Sequence, residues 1–202
     1  EHGKGNTHND YGLGFYCCSN KELAKEWAAK RSGHGYINKY SLRDDRLKIL
    51  DLTNPPYNNV LYWVALLMHN RELSADLRDN FPRELKYLEE KHLIDISRFD
   101  IVIGYRADDS YFRFPESFVR SEITLESLEK IFQAGDLGKQ YVLISKRAFH
   151  LVRFLDYQEA FENSKEDYYR RKNGADKIFA DLLNADRYSK GTRMRDLIAD
   201  YE

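Results

Sequence analysis

The chain has 202 residues, 42% hydrophobic and 32% charged, enough for one domain with a proper core, or for one domain with a helical appendage. Its 32 basic side chains meet 33 acidic ones, a formal net charge of −1, which excludes strong non-specific attraction to nucleic acid or anionic membranes on overall charge but leaves room for a local basic patch. Only Cys17 and Cys18 occur, side by side, so neither a disulfide framework nor a zinc cage is expected; they read as small buried strand residues in a reducing, cytoplasmic setting.

Residues 1–12, rich in Gly, Asn and His, read as a loop, and Gly14–Cys18 as a short buried strand. Ser19-Asn20 offers an N-cap, with Glu22 placed for a capping box to Ser19. Leu23, Ala24, Trp27 and Ala28 recur at helical spacing over 21–31, and Ser32-Gly33 stops that helix. Tyr36–Leu42 and Leu47–Leu52 read as strands divided by a charged turn, and Asn54-Pro-Pro56 breaks the chain. A buried helix is expected over 57–70, its apolar run Val60–Met68 being far shorter than the roughly 20 residues that span a bilayer, so no membrane association is expected. A surface helix follows over 74–92, a buried strand at Ile101–Ile103 and another at Tyr111–Phe114. Thr124 caps a helix to Ala134, with Gly135 and Gly138 ending it, and Tyr141–Ser145 and His150–Leu155 read as strands. From Ser164 the chain is charged and tyrosine-rich, with Ile178, Phe179, Leu182 and Leu183 on one helical stripe, as in helices packed on the outside or on a partner. The sum is an α+β domain over 1–160, with a helical insertion at about 57–98 and a helical extension over 161–202.

Asp10-Tyr-Gly-Leu-Gly-Phe-Tyr16 carries the most chemical information. Gly12 and Gly14 let backbone run close to a planar or phosphate-bearing ligand. Tyr16 and Trp27, on a strand and the helix after it, suit the two walls of a slot for a flat, electron-poor ring; the alternative is that both fill core. Asp108 and Asp109, beside Arg106, offer a general base or a solvated acidic turn, and the Arg106 fork suits a carboxylate or a phosphate. His8, His34, His69, His92 and His150 show no metal-ligand spacing. Lys165–Lys172 mixes aromatic and basic residues but reads as a solvated helix face.

Gly12-Leu-Gly-Phe-Tyr16 with Trp27 resembles the second motif of the poly-ADP-ribose-polymerase and diphtheria-toxin branch of ADP-ribosyltransferases. More closely, the chain resembles a bacterial family of unknown function related to those enzymes, through Asp10–Tyr16, the Asn20-Lys-Glu-Leu-Ala24 helix start, Asp100–Gly104 and Ala107-Asp108-Asp109, over roughly residues 10–155. The resemblance implies a split antiparallel β core and an NAD pocket. In that pocket Tyr16 and Trp27 would hold nicotinamide, Gly12, Gly14 and Phe15 would shape the cleft, and Arg106 would meet a phosphate. It also implies transfer of ADP-ribose to a macromolecule, in a role like that of a toxin restrained by an antitoxin. Gln140 begins the strand where these transferases carry a catalytic Glu. It would bind the ribose without supplying an anion, and losing one such electrostatic partner costs about 2.7–4 kcal/mol. Asp109 or Asp108 would then be the acidic partner. The Tyr-His-Gly strand of such enzymes is expected upstream of Glu1, and His2 is read as a loop residue. Rival expectations are a silent NAD- or ADP-ribose-binding module, and a partner-binding protein with a vestigial cleft.

Overall fold

The computed structural model describes residues 2–30, 33–107, 111–134, 138–199 and 201. It is a mixed α+β fold built around two small sheets. Strand β1 (Phe15–Cys18) leads into helix α1 (Lys21–Ala29), whose N-cap is Asn20. The Asn20 carboxamide oxygen accepts from the Glu22 and Leu23 amides at 2.9 and 3.2 Å, so the expected Ser19 capping box gives way to a cap one residue later. Gly33, at φ +76°, donates its amide to Ala29 and turns the chain out of the helix.

Strands β2 (Gly35–Leu42) and β6 (Val152–Ala160) form a two-stranded antiparallel ribbon. The other sheet has the order β1-β5-β4-β3, with β3 at Ile49–Asp51, β4 at Ile101–Tyr105 and β5 at Lys139–Leu143. Its pairs are antiparallel except β3 with β4. A parallel pair needs a long crossover. Here the helical insertion is that crossover: α2 (Val60–Asn70), α3 (Ala75–Asn80) and α4 (Pro82–His92). The single helix expected over 74–92 is broken at Phe81-Pro82, because proline lacks the amide that would continue the earlier turn and fits the first position of the next helix instead.

Helix α5 (Arg113–Val119) stands where Tyr111–Phe114 reads as a strand. Phe114, Ser117 and Phe118 are all buried, at intervals of three and four that share one helix face, whereas a strand would have put Ser117 on the face opposite the two rings. After α6 (Leu125–Ala134), the short helix α7 (Lys146–His150), capped by the Ser145 hydroxyl, fills the start of the last expected strand, which begins at Val152. The tail is helix α8 (Glu162–Asp186) and a short α9 (Met194–Leu197).

One hydrophobic core gathers Trp63 and Leu67 from α2, Val102 and Val142 from the sheet, and Met194 and Ile198 from the tail. Phe179, Leu182 and Leu183 of α8 pack against it, while Ile178 of the expected stripe faces solvent. Two polar clamps fasten the tail. The Asp186 carboxylate, buried, accepts from the Thr124 amide at 2.6 Å and the Ser127 hydroxyl at 2.8 Å at the start of α6. Arg171 pairs with Glu26 of α1 at 2.9 Å, both side chains largely buried. The basic and aromatic run of α8 is thus partly turned inward, since Tyr168 is buried with Lys30 Nζ at 5.0 Å over its ring. Among the described residues no helix is long and apolar enough to cross a membrane.

Candidate functional site

A cavity of about 970 Å³ opens between the four-stranded sheet and the ribbon, with α1 as its third side. That is the upper end of the roughly 300–1,000 Å³ typical of small-molecule sites. Its floor is polar and comes from four separate segments: Asp10, Arg71, Arg106 and Gln140. Its walls are aromatic, with Phe15 and Tyr16 from β1, Trp27 from α1, and Tyr36, Tyr40 and Tyr157 from the ribbon.

Asp10 is the centre of the floor and is only 4% exposed. One carboxylate oxygen accepts from the Ala107 amide at 2.9 Å and the Gln140 Nε2 at 3.2 Å; the other accepts from Arg71 Nη1 at 3.1 Å. Burial raises the carboxyl to about 6, against the opposing pull of these hydrogen bonds and of the Arg71 and Arg106 charges. Arg71 arrives at the C-terminal end of α2, where it also lies over the Phe112 ring at 4.6 Å. Asn70 beside it donates to the Asp10 carbonyl at 3.4 Å, so the crossover helix holds the loop at two points.

Gln140 lies opposite Gly104 on β4 and Cys18 on β1. Its amide is committed to Asp10, and its Oε1 is buried without a hydrogen-bond partner among the described residues. This geometry accounts for glutamine at the position. A second carboxylate here would face Asp10 at hydrogen-bonding distance, and two such charges cannot both ionise in a buried site. The carboxylate next to Gln140 is thus Asp10; the expected acidic partners Asp108 and Asp109 lie outside the described residues.

The Tyr16 ring lines the cavity, while its hydroxyl points into the turn, donating to Gly12 O at 2.7 Å and accepting from the Tyr11 amide at 3.0 Å. Burial pushes that hydroxyl well above the usual tyrosine range, so it stays neutral. Trp27 is 46% exposed, with the Arg106 guanidinium 4.3 Å from its ring centre. A flat ligand ring between Tyr16 and Trp27 would share the indole with that cation or take its place.

Gly12 and Gly14 lie outside the lining. Gly12, at φ +70°, makes the turn, where a Cβ would also crowd Asn70 Oδ1; a Cβ on Gly14 would meet Val142. Phe15 stands edge-on to Tyr40 and Phe149, centroids 5.4 and 5.7 Å away. Cys17 and Cys18 line the cavity half-buried, rather than fully buried as read from sequence; burial raises the Cys17 thiol to about 11. His2 lies in a turn, hydrogen-bonded to Ile144 O.

Asp10 and Arg71 are the site residues that sequence reasoning did not single out. Asp10 heads the glycine motif, yet nothing local marks it as buried. Arg71 follows an apolar helix and reads as its polar end. Comparison with known proteins gives no match among curated proteins and none among solved structures. A family model, described as "Protein of unknown function (DUF3990)", matches residues 1–154, a span that includes every floor residue and both walls of β1 and α1. The chain belongs to that family.

Proposed function

We propose that the cavity binds NAD and that the protein transfers ADP-ribose to a macromolecular target. The observation that most supports this reading is the Asp10–Gln140 pair: a buried carboxylate hydrogen-bonded to an amide, both residues lining the cavity beside Tyr16 and Trp27. As the bond from nicotinamide to ribose breaks, positive charge grows on the ribose ring. A fixed anion in a water-poor site stabilises that charge most where it develops. Asp10 supplies the anion and Gln140 the orientation, while Tyr16 and Trp27 flank the leaving base. Arg71 and Arg106 offer forked donors to the diphosphate.

The same geometry favours one rival, a module that binds NAD without turnover, because Arg71 already neutralises part of the Asp10 charge. One experiment separates them. The protein is incubated with labelled NAD and a cell lysate, alongside Asp10→Asn and Tyr16→Ala. The transferase reading expects nicotinamide release and labelled product, lowered roughly a hundred- to thousand-fold in Asp10→Asn, the range for removing one preorganised electrostatic partner. Saturable NAD binding with no label selects the binding module. No NAD binding by the folded protein overturns both. If the protein acts as the toxin of a toxin–antitoxin pair, expressing it without the antitoxin arrests growth and expressing Asp10→Asn does not.

A further inference from the structure

The ribbon carries more exposed aromatic surface than a two-stranded sheet needs for its own packing. Tyr36, Phe154 and Tyr157 are 56%, 56% and 58% exposed, and Tyr40 is 36% exposed. These rings are arranged as edge pairs: Tyr36 with Tyr157 and Tyr40 with Phe154, each 5.8 Å between centroids. Phe15, at 5.4 Å from Tyr40, carries the series to the cavity wall. Tyr36 and Tyr40 lie four residues apart on one strand, about 13 Å at the usual strand rise.

The Leu42–Val152 end of the ribbon is basic. The turn after β2 brings Arg43, Arg46 and Lys48, and α7 with the first residues of β6 brings Lys146, Arg147 and Arg153, all exposed. Arg147 donates to the Arg46 carbonyl at 2.6 Å, which joins segments about a hundred residues apart. At this end the carboxylates are Asp44, Asp45 and Asp100, so six cations face three anions there, while Asp156 and Glu159 lie further along β6. The near-zero charge of the whole chain hides this local excess.

We infer that the ribbon face is a binding platform for single-stranded nucleic acid, its bases stacking on the Tyr36–Tyr157 and Tyr40–Phe154 rings and its phosphates drawn by the Arg43–Lys48 and Lys146–Arg153 cluster. Exposed aromatic rings beside a basic track are what an unpaired strand requires, since every base offers a π-face and every linkage a negative charge. Tyr36, Tyr40 and Tyr157 also line the cavity, so a bound strand would lie beside the proposed NAD site as its acceptor. That role rests on the NAD reading; binding does not.

The test is fluorescence anisotropy with labelled single-stranded RNA and DNA of about 12 nucleotides, within the usual site sizes, and with no NAD present. Saturable binding at about 50 mM salt that weakens steeply by about 200 mM is expected. Phe154→Ala and Tyr157→Ala should each weaken it roughly five- to hundred-fold, the cost of one lost base stack, with circular dichroism and Tm unchanged. Arg147→Gln with Arg153→Gln should weaken binding and flatten its salt dependence. Equal binding of RNA and DNA, or preference for either, supports the inference and shows whether the ribose hydroxyl is read. Absence of binding by the folded protein overturns it. So does binding unaltered by loss of the aromatic rings, or a concentration-dependent dimer that the ring substitutions abolish. An oligonucleotide that binds while the labelled-NAD assay stays blank removes the acceptor role and leaves the platform.

Discussion

Burial and hydrogen bonding pull in opposite directions on Asp10. Desolvation dominates and the carboxyl rises from 3.8 to about 6. Between those values the folded protein holds a proton that the unfolded chain has released, so stability falls as pH rises through that window, by about 3 kcal/mol in total. Below about pH 4 both states are protonated, and above about pH 6 both are ionised, so the contribution is flat on either side. Urea midpoints of the wild type measured against Asp10→Asn should therefore decline from pH 4 to pH 6 and then level off; parallel curves would assign the titration elsewhere. In the transferase reading activity needs the ionised form and should rise through about pH 6, a step absent from any residual activity of Asp10→Asn. None of this was legible at Asp10 itself. The sequence places it in a glycine-rich loop, and its partners at positions 71, 107 and 140 lie 61 to 130 residues away. Tyr16 and Trp27 were legible as rings of one site because a strand and its following helix fix their relation locally. The Arg106 contact on the indole was not.

Helix α1 serves two neighbours at once, presenting Trp27 to the cavity and Glu26 to α8. The Glu26–Arg171 pair is shielded enough that removing one partner strands a charge, which typically costs about 3–5 kcal/mol, whereas replacing both is far milder. Arg171→Met should thus lower stability markedly, and the double variant Glu26→Gln/Arg171→Met should recover much of the loss in denaturant titrations. Equal losses in single and double variants would mean that packing of the Arg171 stem, rather than charge, fastens the helices. At this scale the sequence was readable where periodicity and a cap agreed, as in α1 and α6, and in α2 from its apolar run. It misled where local chemistry was ambiguous. The aromatic run Tyr111–Phe114 has the composition of a strand, and the helix shows only in the burial of Phe114, Ser117 and Phe118 together, which depends on distant packing. Pro82 splits the surface helix by its missing amide, a signal that the alternation of apolar and charged positions over 74–92 does not carry.

The whole molecule has one main core, to which both the family-matched part and the tail contribute. A chain ending near residue 160 would leave Phe114 without the Phe179 ring that packs edge-on to it at 4.9 Å, and the core without Met194 and Ile198. It should lose the sharp urea transition of the full chain; a cooperative transition of similar midpoint would show instead that the tail is an accessory. The α+β character was evident from mixed periodicities. The parallel pairing of β3 with β4 was not, since strand order depends on contacts that no local pattern records. The floor of the cavity has a related property. Its residues come from positions 10, 71, 106 and 140, each on a different segment, so no stretch of chain shorter than about two thirds of the protein contains them all. During synthesis the ribosome must pass residue 140 before the floor can close, and a product cut short before β5 would carry Tyr16 and Trp27 but neither the acid–amide pair nor the β6 half of the ribbon. A chemistry hazardous to its own cell would, with this layout, stay silent in every copy that stops short of Gln140.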